Sequence, residues 1–437
     1  MRSRSIIVCL LTSASSVWLS ATPPSAGQPA QPATPKVEKE FYKPQDRLAA
    51  MRVASIFTPR AVSDANMITG PPQEPDQFQL HLNDKVTCAF DTPGAEKNGN
   101  TPKFDCRITR VESADGHVQE LTPQMHEEAV KVKFRPDNRE THSEIASTRL
   151  FWSLGFYADG MFPVRVTCTN CPSDPQSGGG TRATREFPEG VIERKFPGHK
   201  MYVTGKEDQG WSWKEFESIG APSYQRDGLK MLAAFVIHSD NKPEQQRLVC
   251  DGITVDQTTS PFTTTCRESK MLVQDLGATW GGGGKFTSNS GAKMNLQEWS
   301  GKSVWKHAGG EGHEADCQAT LPKSLAASDG LGDPHISEEG RRFTAGLLCQ
   351  LSDQQLSDLF VVTRVSEMPE NRNSDGSFKN GLTEAAIVGQ WVSTFKQKRE
   401  AVAAARCQWI NKPADLSEID NPMHLQTVPN FCAARPF

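Results

Sequence analysis

No apolar run in this 437-residue chain is long enough to cross a membrane as a helix. The nearest approach, Ile6 to Leu11, is a short stretch at the N-terminus. An excess of basic charge is missing too. The formal net charge is −4, which argues against a bulk cationic surface for nucleic acid. Hydrophobic residues make up 36% of the chain and mean hydropathy is −0.53, low for a compact enzyme, so long loops and an unstructured stretch are expected. There is no internal repeat. There is no G-x-S-x-G motif, which removes support for a Ser/His/Asp hydrolase. One C-x-x-C (Cys168, Cys171) lacks the second half of a zinc site, so a local disulfide is the better reading. His307, His313 and Cys317 in a glycine-rich loop are a weaker metal candidate, and Trp299 and Trp305 read as core anchors.

What is present begins with an export pattern. Arg2 and Arg4 precede the short apolar run and small residues follow to Ala26, the layout of a signal peptide over residues 1–26. Residues 27–75 form a Pro/Ala-rich linker with a short helical pattern from Arg47 to Ile56. The expected location is therefore secreted or periplasmic, with no stable membrane span. Cysteine usage agrees: setting Cys9 aside, the 11 cysteines leave an even number. Cys88/Cys106, Cys168/Cys171, Cys250/Cys266 and Cys407/Cys432 are near in sequence, which leaves Cys317/Cys349 as the remaining pair.

Residues 76–205 read mainly as strands. Phe78, Leu80 and Leu82 alternate with polar residues, Val86 to Phe90 and Lys103 to Thr109 follow, and Ala129 to Phe134 sets valines and lysines on opposite faces. Thr141 with Glu144 three residues on has the spacing of a capping box for a helix that ends at Gly155. Phe162 to Thr167 is a further strand, and residues 172–183 read as a loop tip. Residues 206–437 are dominated by helix signals. Trp211 to Phe216 starts one, Arg226 to Ile237 is a strongly apolar one, and later ones cover 337–348, 352–364 and 383–407. Between them, Val249 to Thr265 reads as a hairpin and Met271 to Gly277 as a strand ending in an acid and a glycine. Strands first and helices after is an α+β pattern in two lobes.

The polar loop after the apolar helix runs His238-Ser-Asp240-Asn-Lys242-Pro-Glu-Gln245-Gln-Arg-Leu248. It resembles the catalytic loop of the protein-kinase-like superfamily, H-x-D-x-K-P-E-N-x-x-L, with Gln245 where the family has a metal-binding Asn. Asp275-Leu-Gly277 resembles the D-F-G element, Lys133 sits where the phosphate-pairing Lys is found, and Glu144 where its partner is. The resemblance covers roughly residues 78 to 365 in element order. It implies a bilobal kinase-like fold with a small, mostly β N-lobe and a larger, mostly α C-lobe. It also implies ATP and Mg²⁺ as cofactors and phosphoryl transfer to a hydroxyl of a protein, glycan or small molecule. Asp240 and Lys242 would be catalytic, Lys133 and Glu144 would hold the nucleotide, and Asp275 and Gln245 would hold the metal.

The chain departs from the pattern in several places. No G-x-G-x-x-G loop precedes Lys133, leaving the turn between Asp91 and Lys103 to cover the phosphates, and no A-P-E element follows the glycine run. The Lys133-to-Glu144 spacing is short, closer to atypical, HipA-like or lipid-kinase-like branches. A catalytically silent pseudokinase acting as a binding module, and an AMP-transferring relative, are the alternatives.

Overall fold

The computed structural model describes residues 41–91, 101–125, 129–135, 137–203, 210–256, 258, 263–281, 293–322 and 329–410. The leader, the first part of the Pro/Ala-rich linker (residues 27–40), most of the turn after Asp91, most of the glycine-rich run after Trp280, and Cys432 lie outside them.

The described chain opens with a two-residue strand, β1 (Phe41–Tyr42), and helix α1 (Pro44–Arg52), which starts at Pro44 because proline suits the first helical turn. Strands β2 (Lys85–Asp91), β3 (Lys103–Glu112), β4 (Val118–Glu120) and β5 (Ala129–Lys133) follow, then helix α2 (Arg139–Ser153) and the long antiparallel pair β6 (Gly160–Asp174) and β7 (Gly179–Arg194). The six strands lie in the order β2-β6-β7-β5-β3-β4, and β2 pairs also with β3, so the sheet closes on itself. Alternation decides what fills that closed sheet: Val130 and Val132 share one core cluster with Phe104, Cys106, Ile108, Val164 and Ile192. Lys131 and Lys133 point the other way, Lys133 to Glu144 on α2 and Lys131 to Glu193 on β7. Disulfides Cys88–Cys106 and Cys168–Cys171 belong to the same interior.

Two short strands, β8 (His199–Lys200) and β9 (Tyr202–Val203), lead on to helix α3 (Ser223–Phe235). A hairpin of β10 (Gln246–Asp256) and β11 (Thr263–Val273) then projects between the Asp240 loop and Asp275, fastened by Cys250–Cys266. Helix α4 (Leu296–Gly301), the three-stranded set β12 (Trp305–His307), β13 (Cys317–Ala319) and β14 (His335–Ile336), and helices α5 (Glu338–Cys349), α6 (Asp353–Val362) and α7 (Glu384–Ala404) complete the described chain. The architecture is mixed α+β. The larger core cluster joins α3, α5, α6 and α7 to the base of the hairpin, with Trp280, Trp299, Trp391, Phe360 and Phe395 among its members.

Several sequence expectations change. Gln77 to Leu82 is not a strand, although Phe78 and Leu80 are fully buried. Trp211 to Phe216 is a turn leading to a short 3-10 segment, Phe216–Ser218, rather than a helix. Trp211, Trp213 and Phe216 pack on one another, and the two indole N–H groups reach carbonyls of Arg247 and Asn241. The expected loop tip at 172–183 shrinks to a turn, because β6 and β7 run through it. Asn138, not Thr141, caps α2, its side chain accepting from the Glu140 N–H. Cys317 pairs with Cys407 rather than with Cys349, and Cys349 is itself disulfide-bonded. A metal site of His307, His313 and Cys317 is thereby excluded.

Helices α3 and α5 cross closely through two glycines. A Cβ on Gly340 would collide with Asp227, and one on Gly228 would lie 2.6 Å from the Phe343 ring. That crossing fixes the helix that delivers the Asp240 loop. Gly340→Ala is expected to destabilise the protein by about 1–3 kcal/mol. Gly389→Ala, on an exposed stretch of α7 with nothing near the added carbon, should stabilise it by about 0.5–1 kcal/mol. Denaturant midpoints of the two variants check the pair.

Candidate active site

Lys133 lies at the C-terminal end of β5 on the face covered by α2, and its side chain is buried. Its ammonium is 2.5 Å from Glu144 Oε1 and 3.1 Å from Glu193 Oε2. Glu193 comes from β7, opposite Lys131 in the register, and also takes Lys131 at 3.2 Å and Lys195, which in turn reaches Asp159 at 2.9 Å. Lys103 on β3 pairs with Lys133 across the strands.

Asp275 follows β11. Its loop is docked on α2 by hydroxyls: Ser143 donates to the Thr279 carbonyl, Ser147 pairs with the Thr279 hydroxyl at 2.8 Å, and Trp280 donates to Ser147 at 2.7 Å. These bonds explain a helix whose buried face is largely polar. The Gly277 N–H reaches Asp275 Oδ1 at 3.2 Å.

Asp240 enters from α3, whose end turns sharply. Ile237 has φ of 53°, a strained value for a β-branched residue, while the next N–H, of His238, bonds back to Ala233. The loop is then locked. Ser239 donates to the Ala278 carbonyl, and buried Asn241 bridges the His238 carbonyl to Leu331. Asp240 carries Lys242 at 3.3 Å and accepts from Gln245 Nε2 at 3.2 Å. The Gln245 carbonyl accepts the Gln274 N–H at 3.0 Å and the Asp275 N–H at 3.4 Å. Gln245 therefore joins the two acid-bearing loops through its backbone while its side chain faces Asp240.

The structure thus brings buried Lys133 and Glu144 together with half-buried Asp275, with Asp240, Lys242 and Gln245 on the loop that Gln245 joins to Asp275. Glu140, Glu193 and Lys103 were not singled out in the sequence. Glu140 had a signal, standing four residues before Glu144 on one helix face. Glu193 had none, because its place beside Lys131 depends on pairing between strands far apart in the chain. The carboxylate oxygens of Glu140, Glu144 and Asp275 lie within 4.8 Å of one another. A cavity of about 600 Å³ opens beyond Glu193, lined among others by Asp105, Lys131, Lys195, Tyr157 and Phe196. It is in the size range of a small-molecule site, and it shares Glu193 with the cluster but is not lined by Lys133, Asp240 or Asp275.

Charge is distributed unevenly over the cluster. Burial opposes the charge on Lys133, but Glu144, Glu193 and Asp275 outweigh it and hold the ammonium well above the usual lysine range. Burial likewise opposes ionisation of Glu193, yet Lys133, Lys195 and Lys131 hold it well below the carboxylate range. Asp275 is lowered, with Lys133 and the Gly277 N–H overcoming burial. Glu144 gives way: burial pushes it up to about 8 despite Lys133, with Asp275 and Glu193 adding to the rise. Burial, with Lys133 adding, lowers Lys103.

No family model and no curated protein sequence matches the chain. Among solved structures, a proinflammatory kinase of Helicobacter pylori, CtkA, overlaps it with a TM-score of 0.32 at 10% identity, covering 72% of this chain and 94% of that one. An overlap so loose decides neither fold nor activity. Among the described residues, no helix is long and apolar enough to cross a membrane.

His238 supplies a pH test. It is fully buried, neither ring nitrogen has a hydrogen-bond partner, and burial lowers its pKa from 6.5 to about 4 against Asp240 and Asp275. A depressed folded pKa contributes stability that is present above pH 6.5 and lost as pH falls toward 4. Between pH 7 and 4.5 the wild type should lose about 2–3 kcal/mol more unfolding free energy than His238→Phe. Equal losses in urea melts at the two pH values would contradict the neutral, buried assignment.

Proposed function

We propose that this protein is an exported, kinase-like phosphotransferase that moves the γ-phosphoryl of ATP to a hydroxyl of a protein, glycan or small molecule. The observation that carries the reading is the convergence of residues far apart in the chain. Lys133 and Glu144 form a buried pair at 2.5 Å, Asp275 shares their field, and Gln245 ties the Asp275 loop to the Asp240 loop. In this reading residues 76–205 are a small lobe and residues 206–437 a larger helical one.

The parts match what phosphoryl transfer asks of a protein, which is charge neutralisation and positioning. Lys133, steadied by Glu144, would pair with the non-transferred phosphates. Asp240 would orient and deprotonate the acceptor hydroxyl, and Lys242 would stabilise charge on the transferred group. The carboxylates around Asp275 suit a hard divalent cation such as Mg²⁺, whose contribution when bound is to neutralise phosphate charge. Gln245, whose Nε2 donates to Asp240, would position the base and could lend its carbonyl oxygen to the cation. Four described disulfides support folding in an oxidising, secreted or periplasmic compartment.

A catalytically silent binding module is the competing reading. It is favoured by one observation: Glu193 engages Lys133 together with Glu144, leaving that ammonium well compensated without a phosphate.

Thermal shifts with nucleotide and Mg²⁺ separate the readings. The wild type should be stabilised by ATP with Mg²⁺ and Asp275→Ala should not. Label from γ-labelled ATP should appear on an acceptor. Label from α-labelled ATP would indicate nucleotidyl transfer instead, and no shift with any nucleotide would end the enzymatic reading.

A further inference from the structure

Glu140 and Glu144 stand one turn apart on α2 and project from the same face. Asp275 reaches them from the loop after β11, so three carboxylates meet within 4.8 Å. Such a group is strongly self-repelling in a poorly hydrated site unless cations lie among its members. Two lysines serve that purpose here. Lys133 takes Glu144 Oε1, and Lys293 takes Glu140 Oε2 at 2.6 Å. Glu144 Oε2 is left over: its side chain is 3% exposed, and that oxygen is buried without a hydrogen-bond partner. An orphan carboxylate oxygen in such a place is costly, and a cation would satisfy it. The backbone makes room for the arrangement as well. A Cβ on Gly277 would overlap the Glu140 side chain, so glycine at this position is what lets Glu140 approach the Asp275 loop.

We propose that Glu140, Glu144 and Asp275 form a divalent-cation site that fills without nucleotide, and that Lys293 is its counter-ion while the cation is absent. All three donors are carboxylates, which suits a hard ion such as Mg²⁺ or Mn²⁺. The three carboxylates define the site without Gln245, whose Nε2 donates to Asp240. The site gives the phosphotransfer reading a cation held from helix α2 rather than from the Asp240 loop. It rests on that reading only for its purpose, since nothing in its geometry requires ATP.

Mn²⁺ titration of the full-length, disulfide-intact protein, followed by electron paramagnetic resonance with no nucleotide present, tests it. The wild type should bind about one equivalent saturably below about 1 mM. Glu140→Gln, which keeps the shape and removes the charge, should weaken binding by about tenfold or more. Lys293→Gln should tighten it by about threefold or more, because a competing cation is gone, and Gln245→Ala should leave it unchanged. Circular dichroism checks that each variant is folded. No saturable binding by the wild type up to about 10 mM Mn²⁺ overturns the proposal. So does wild-type affinity in Glu140→Gln, a loss in Gln245→Ala equal to that in Glu140→Gln, or no gain in Lys293→Gln. Mn²⁺ binding without any phosphotransfer would retain the site and end the enzymatic reading. Phosphotransfer without this binding would do the reverse.

Discussion

One buried ammonium organises the centre of this protein. Lys133 sits between Glu144 on α2 and Glu193 on β7, with Asp275 close enough to add to the field. Taking so many charges out of water is expensive, and attraction repays the cost only when each charge keeps its partners. The partners come from the sheet, from α2 and from the loop after β11. If one element shifts, an uncompensated charge is left behind. The ion pairs therefore specify how these elements meet, which an apolar contact would do less exactingly.

The surroundings of the cluster follow from that demand. Helix α2 is buried on its polar side because Ser143 and Ser147 are used to hold the Asp275 loop. The Asp240 loop is held by Ser239, Asn241 and Gln245 rather than by packing alone. The close crossing of α3 and α5 sets where that loop begins. The cavity beyond Glu193 is continuous with the same charged row, so whatever enters it meets Lys131, Glu193 and Lys195. The charged side chains set among its apolar lining separate it from an ordinary void left by imperfect packing.

Local chemistry made part of this legible in the sequence. The alternation of Ala129 to Phe134 places the valines inward and the lysines on the opposite face, and the six residue types around Asp240 mark the loop. Lys133, Glu144 and Asp275 meet in one cluster, and Gln245 links the Asp240 loop to the Asp275 loop. Signals that depend on long-range pairing were not legible. Glu193 is unremarkable until β7 is set beside β5, and Cys407 has Cys317 as its partner although Cys432 is nearer in the chain. The Trp211 to Phe216 segment misleads for a related reason: its rings pack on one another and on distant carbonyls, and that overrides a helical pattern. The capping residue of α2 was misplaced by a few positions because Asn138 and Thr141 both satisfy the local rule. Gln245 could be seen to differ from the family's Asn, but not that its amide would turn to Asp240.

A double-mutant cycle on Lys133 and Glu144 tests the organising role of the buried pair most directly. Unfolding free energies of Lys133→Met, Glu144→Gln and the double variant, measured at pH 9 where Glu144 is mostly ionised and Lys133 still charged, give their coupling. The account predicts that Lys133→Met alone costs about 3–5 kcal/mol and that the coupling is about 2 kcal/mol or more. Single effects that simply add, to within about 0.5 kcal/mol, would mean that the two groups are neighbours without being partners, and the centre would have to be held together by something else.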